Sequence, residues 1–270
     1  MNLARIRTLI GKELRELRAA PAAILPVAIL TVVTTVLPFV LVVILPRVTG
    51  TSIADDRSLR QIVLLARLRV PGLAALSQEA AAQAFLFQQF VVLFVITPVV
   101  GAVSFAAYSV VGEKQGRTLE PLLTTPVTTY ELLVSKVIAC LFPSLAVEGA
   151  ALVVYVLLIG VLAPPGVLAA VLTPRTLILV ALVGPLASLA GLQLTIAVSS
   201  RVNDARSAQQ IAVLLVLPLM VILFGQLAGA FVLTSAMLLA LSVVLAAIWV
   251  VFVMLSVALF ERETILTRLK

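Results

Sequence analysis

Apolar residues run through this chain in long unbroken stretches, separated by brief polar interruptions. Ala19 to Pro46 holds no charged residue over 28 positions, and Ser207 to Phe260 holds none over 54. At 1.5 Å rise per residue, the second stretch is about twice the length that crosses a hydrocarbon core of roughly 30 Å, so it must fold back on itself. Turn chemistry within it lies at Gly225-Gln226 to Gly229, or around Thr234-Ser235. The charge-free runs predict six spans, at about 22–46, 88–111, 137–162, 176–200, 207–225 and 235–260, each near the ~20 residues that a spanning helix needs. The pattern predicts an all-α integral membrane protein of six transmembrane helices, with residues 1–270 forming a single domain. Residues 47–87 form a loop on one side of the bilayer and residues 112–136 a loop on the other.

Two amphipathic segments lie outside these runs. Leu3, Ile6, Leu9, Ile10, Leu14 and Leu17 recur at helical spacing, opposite Arg5, Thr8, Lys12, Arg15 and Glu16. That spacing predicts an interfacial helix over residues 1–19 that precedes the first span. Glu13 interrupts its apolar stripe. The segment is too long and too mixed in charge for the n-region of a signal peptide. In the first loop, Leu59, Ile62, Val63, Ala66 and Val70 fall on one helical face and Arg57, Arg60 and Arg67 on another. This fits a helix lying on the outer surface, or a solvated loop.

Composition agrees with the pattern: 62% of residues are hydrophobic and only 11% charged, where a soluble domain is about a quarter charged. With no histidine and one cysteine, the chain cannot build a His/Cys zinc site, a Ser-His-Asp triad or an internal disulfide. Cys140 reads as helix packing. The net charge of +7 comes without basic stretches interleaved with aromatics, so it points to topology and to lipid rather than to nucleic acid. Thirteen Lys and Arg fall on the side of the termini and of residues 112–136, and six on the other. That places both termini in the cytoplasm, and the protein in the cytoplasmic (inner) membrane. Arg47, Arg57, Arg60, Arg67 and Arg69 run against the rule.

The 112–136 segment carries the functional signal. Leu119, Leu122 and Leu123 repeat at i, i+3, i+4 beside Glu113, Lys114, Arg117 and Glu120; Pro126 then breaks the chain, and Thr128 to Glu131 is a capping box that starts the next helix. A short amphipathic helix linked to spans two and three could dock in a groove on a cytosolic partner, or lie on headgroups or on its own bundle. Glu113-Lys114, the run Gly116 to Glu120, Leu122-Leu123, Thr125-Pro126, Glu131-Leu132-Leu133 and Lys136 resemble the signature loop of the ABC-2 type permeases, the membrane subunits of ATP-driven exporters. The N-terminal amphipathic helix, the six spans and the polar segment 199–210 are similar to that family's organisation too. The resemblance implies a cytoplasmic coupling helix between spans two and three, with Glu113, Arg117, Leu119, Glu120, Leu122 and Leu123 contacting a separate ABC ATPase subunit. It also implies a second permease copy or a paralogue as partner. The chain has no G-x-x-x-x-G-K-[ST] phosphate loop, so ATP and its Mg are expected in the partner and no cofactor in this chain.

Within the membrane, Glu148 is the single acidic residue of the span interiors. A central charge costs roughly 2.5–3.5 kcal/mol on insertion scales. The fifteen Leu, Ile, Val and Phe residues of span three gain about 0.3–0.6 kcal/mol each, so the helix still inserts. Ser144, Glu148 and Tyr155 share a face, which makes them intramembrane polar candidates. The alternative for Glu148 is a protonated carboxyl hydrogen-bonded to a neighbouring helix. Span four aligns Gly184, Ser188, Gly191, Thr195 and Ser199, and span two Thr97, Gly101, Ser104 and Tyr108, as close helix contacts or substrate linings. The expected function is a permease subunit that couples a partner's ATP hydrolysis to export by alternating access. The rivals are an intramembrane enzyme and a membrane scaffold or sensor.

Overall fold

The computed structural model describes residues 3–69, 71–116, 128–199, 202, 204–227 and 233–259. Among these every regular element is helical. The principal ones are α1 (Leu3–Arg18), α2 (Pro21–Thr49), α3 (Arg57–Arg69), α4 (Gln78–Val91), α5 (Leu93–Gln115) and α6 (Thr129–Leu162), followed by α7 (Val167–Val171), α8 (Pro174–Ser199), α9 (Ala205–Leu227) and α10 (Ser235–Leu259). Five helical stretches among the described residues are long and apolar enough to cross a bilayer: Pro21–Thr49, Gln78–Gln115, Tyr130–Leu162, Pro174–Ser199 and Ser235–Val257. The chain is a multi-pass membrane protein. α9 coincides with the fifth apolar run of the sequence and ends at Leu227, and α10 begins at Ser235.

α5 is the hub. It packs against α2, α6, α8 and α9 and is buried on nearly every face, which is why its sequence is apolar all round. Small residues set the closest approaches. A Cβ on Gly101 would come within 2.9 Å of Ser144 Cβ on α6, and one on Gly191 of α8 within 3.1 Å of Val103 Cγ2. The small faces of spans two and four are therefore helix contacts at these positions. Ser188 and Thr195 donate to the carbonyls of Gly184 and Gly191, four residues back in their own helix.

Two spans widen into a π turn, Val40–Ile44 in α2 and Leu179–Val183 in α8. Each ends two residues before a proline, Pro46 and Pro185. A proline ring clashes with the carbonyl four residues back and cannot donate to it; the wider turn moves that carbonyl, of Val42 or Ala181, out of the way. The sequence locates both prolines but not the form the relief takes.

The second apolar helical stretch starts at Gln78, ten residues before the predicted 88, so less of the 47–87 segment is loop than predicted. The stretch left out of the predicted span holds Glu79 and Gln83. These residues are nonetheless helical, because Ser77 caps the turn by accepting from Ala80 N (3.2 Å). Of the two readings left open for this segment the helical one holds, and α3 packs Val63 onto Ala81 and Ala82 of α4. Two of the arginines that oppose the topology rule serve carbonyls here. Arg47 donates to Leu162 O at the end of α6 (3.0 Å), and Arg67 donates to the carbonyls of Leu73 and Leu76.

Candidate functional site

The two ends of the 112–136 segment are held together by a buried ion cluster. The predicted capping box is formed: Thr128 Oγ1 accepts from Glu131 N (3.2 Å) while Thr128 N donates to Glu131 Oε2 (3.1 Å). α6 therefore starts at a fixed residue, and two turns on it carries Lys136, which is 0% exposed. Its ammonium donates to Glu13 Oε1 at 2.7 Å and to Ser109 Oγ at 2.8 Å, and pairs in charge with Glu113 Oε2 at 2.8 Å. Ser109 in turn donates to Glu13 Oε2 at 2.6 Å. Ser109 and Glu113 are one turn apart on α5 and so face the same way.

α1 supplies the remaining charges. Its buried residues are Ile6, Leu9, Glu13 and Leu17, a stripe that lies against α6 and α5. Glu13 is the polar member of that stripe because Lys136 receives it. Lys12 closes the cluster from outside, 2.5 Å from Glu113 Oε1 and 3.4 Å from Glu16 Oε1. Burial alone would lower the Lys12 pKa, but the hydrogen bond to Glu113 and the charges of Glu113 and Glu13 outweigh it and hold the group above the ordinary lysine value. Lys12 and Lys136 balance Glu13 and Glu113, so the buried centre is neutral as it must be. Beside it lies a groove of about 340 Å³, lined by Glu16, Leu17, Tyr108 and Gly112 and by Glu13, Ser109 and Glu113 of the cluster. Carboxylate oxygens of Glu13, Glu16 and Glu113 come within 4.8 Å of one another, close enough to ligate a cation, yet the two lysine ammoniums already occupy that role.

At the far end of α5, Lys114 donates to Val202 O (3.0 Å), which ties the same region to the segment leading into α9. There Asp204 caps α9 by accepting from Ser207 N (3.0 Å) and Ser207 Oγ (3.2 Å). The backbone hydrogen bond from Ser207 holds its carboxyl below the ordinary value.

The residues singled out in the sequence are distributed as follows. Glu113, read as part of a docking face, points inward into the ion cluster and is 3% exposed. Arg117, Leu119, Glu120, Leu122 and Leu123 lie outside the described residues. Ser144 donates to Leu141 O of its own helix (2.7 Å), and Tyr155 donates to Phe87 O of α4 (2.9 Å) within a cluster of Phe39, Phe87 and Phe94 rings. The third member, Glu148, is buried with neither oxygen hydrogen-bonded. The shared face does not converge on one polar site. Cys140 is buried in the apolar cluster at the α1 end. Sequence reasoning missed Glu13 and Ser109 as partners of Lys136; the signal available was the acid interrupting the α1 stripe.

Membrane-length helices pack around a buried hub, and the ion cluster joins the two stems of the 112–136 segment. Residues 72–256, more than half of the chain, match the model of the ABC-2 family transporter proteins, and the chain belongs to that family. It is an ABC-2 type permease, a transport component of a kind that normally works with an ABC ATPase. Comparison with curated proteins and with solved structures gives no match. The rival readings, an intramembrane enzyme and a scaffold or sensor, draw no support from the family.

Proposed function

We propose that the chain is the six-span permease subunit of an ABC exporter, and that residues 112–136 receive the motion of a separate ATPase subunit and pass it to α5 and α6. The observation that carries this reading is the buried Lys136–Glu13–Glu113–Ser109 cluster. It fastens α1 and both stems of the loop into one unit, so a push on the loop moves three elements together. In this reading α9 is the fifth span, and the termini and the loop are cytoplasmic at the inner membrane. Arg117, Leu119, Glu120, Leu122 and Leu123 form the docking face while Glu113 anchors its stem, and ATP and Mg are held by the partner. A second copy or a paralogue completes the pathway, which opens alternately to the two sides. Affinity purification of the tagged chain from its native membranes tests the assignment. The expected result is an ATPase carrying a phosphate loop in the eluate, whose hydrolysis changes when the permease is added back. A chain that purifies alone and transports unaided would overturn it.

A further inference from the structure

Glu148 stands in the interior of α6, 4% exposed, with neither carboxyl oxygen hydrogen-bonded. Its surroundings follow from the contacts on either side. One turn toward the α1 end, Ser144 lies against Gly101 of α5. Seven residues the other way, the Tyr155 ring packs against Phe39, Phe87 and Phe94. α5 runs antiparallel to α6, so Thr97, one turn before Gly101, lies at the level of Glu148. There its hydroxyl meets that of Thr34 on α2 at 3.5 Å. The hydroxyl protons at this depth are committed within their own helices. Thr34 and Thr35 donate to Thr31 O at 3.1 and 2.8 Å, and Ser144 donates to Leu141 O at 2.7 Å. Thr97 directs its proton to Leu93 O at 3.5 Å.

Among the described residues no cation pairs with the acid. Of the elements packed on α6, α2 carries no charge before Arg47, α5 none before Glu113, and α7 and α10 none at all; α8 carries only Arg175, near its start, and α1 brings Lys12 and Glu13 to the far end. On α6 itself the other titratable groups are Tyr130, Glu131, Lys136, Cys140 and Tyr155. Lys136 is twelve positions away, about 18 Å along the helix, and is engaged with Glu13, Ser109 and Glu113. An ionised carboxylate closed off in an apolar interior without donors or a counter-charge is strongly disfavoured.

We propose that Glu148 is a proton-binding site of this permease. In the packed state the carboxylic acid O–H bond is intact. When α5 and α6 separate enough to admit water, that bond breaks, the proton passes to water and a carboxylate remains. Repacking the helices requires the proton to return. The release step rests on the motion of α5 and α6 put forward above; occupancy in the packed state does not. Infrared difference spectroscopy on the full chain in proteoliposomes reads occupancy directly and needs neither ATPase nor cargo, so it can fail while the permease reading stands. The expected result is a protonated-carboxyl carbonyl band at neutral pH in the wild type, lost in Glu148→Gln. A wild-type spectrum without the band, or a band of equal size in the variant, overturns the proposal. Should Glu148→Gln not fold, the wild type alone decides by reaction with a hydrophobic carbodiimide and peptide mapping. Modification at Glu148 is expected, and modification confined to other carboxyls overturns it.

Discussion

Lys136 donates to Glu13 and Ser109 and pairs in charge with Glu113, and losing it would leave Glu13 and Glu113 buried with only Lys12 to offset them. Breaking a buried pair from one side costs about 3–5 kcal/mol, because the remaining charge has no compensation. Lys136→Met is therefore expected to lower the thermal unfolding temperature of the detergent-solubilised chain sharply. A shift no larger than that of an exposed Lys→Met change would show that the cluster does not hold. Lys12 gives the cluster a pH signature. Its folded pKa is raised, so its contribution is complete below the ordinary lysine value of about 10.4 and disappears as the pH rises through the higher folded value. Wild-type chain should lose stability over that alkaline range more steeply than Lys12→Met, and parallel curves would contradict the assignment. At this scale the sequence was legible in one respect and silent in another. The break in the α1 stripe at Glu13 was visible, but its partner lay 123 positions away on another helix, and no periodicity connects the two.

Elements follow local rules where the rule acts over one turn. The capping box of α6 was readable because all its atoms lie within four residues, and Thr128→Ala should cost about 0.5–2 kcal/mol by freeing Glu131 N and fraying the α6 start. Helix contacts are different, because small residues in a membrane sequence do not say what faces them. In the structure Gly101 meets Ser144. Gly101→Ala should therefore destabilise by about 1–3 kcal/mol through overpacking, and Ser144→Gly should recover most of that loss. Additive effects in the double variant would disprove the contact. The start of α4 and the two π turns were not legible for related reasons. Glu79 and Gln83 look like loop in an apolar pattern, and a proline announces a break without choosing its geometry.

Over the whole molecule, hydropathy carried the architecture, since a bilayer admits only closed backbone hydrogen bonding and the apolar runs had to become helices. It could not rank them. α5 differs little from its neighbours in composition yet is the hub, because only assembly decides which apolar face meets protein and which meets lipid. Orientation is an expectation from Lys and Arg counts, and Arg47 and Arg67, which count against it, donate to backbone carbonyls. The measurement that bears most directly on the account is recruitment of the partner ATPase to membranes, compared between the wild-type chain and the triple variant Leu119→Asp, Leu122→Asp, Leu123→Asp. Recruitment should fall to background in the triple variant while the chain itself inserts at wild-type level; unchanged recruitment would mean that the loop clamped by Lys136 is not where the two subunits meet.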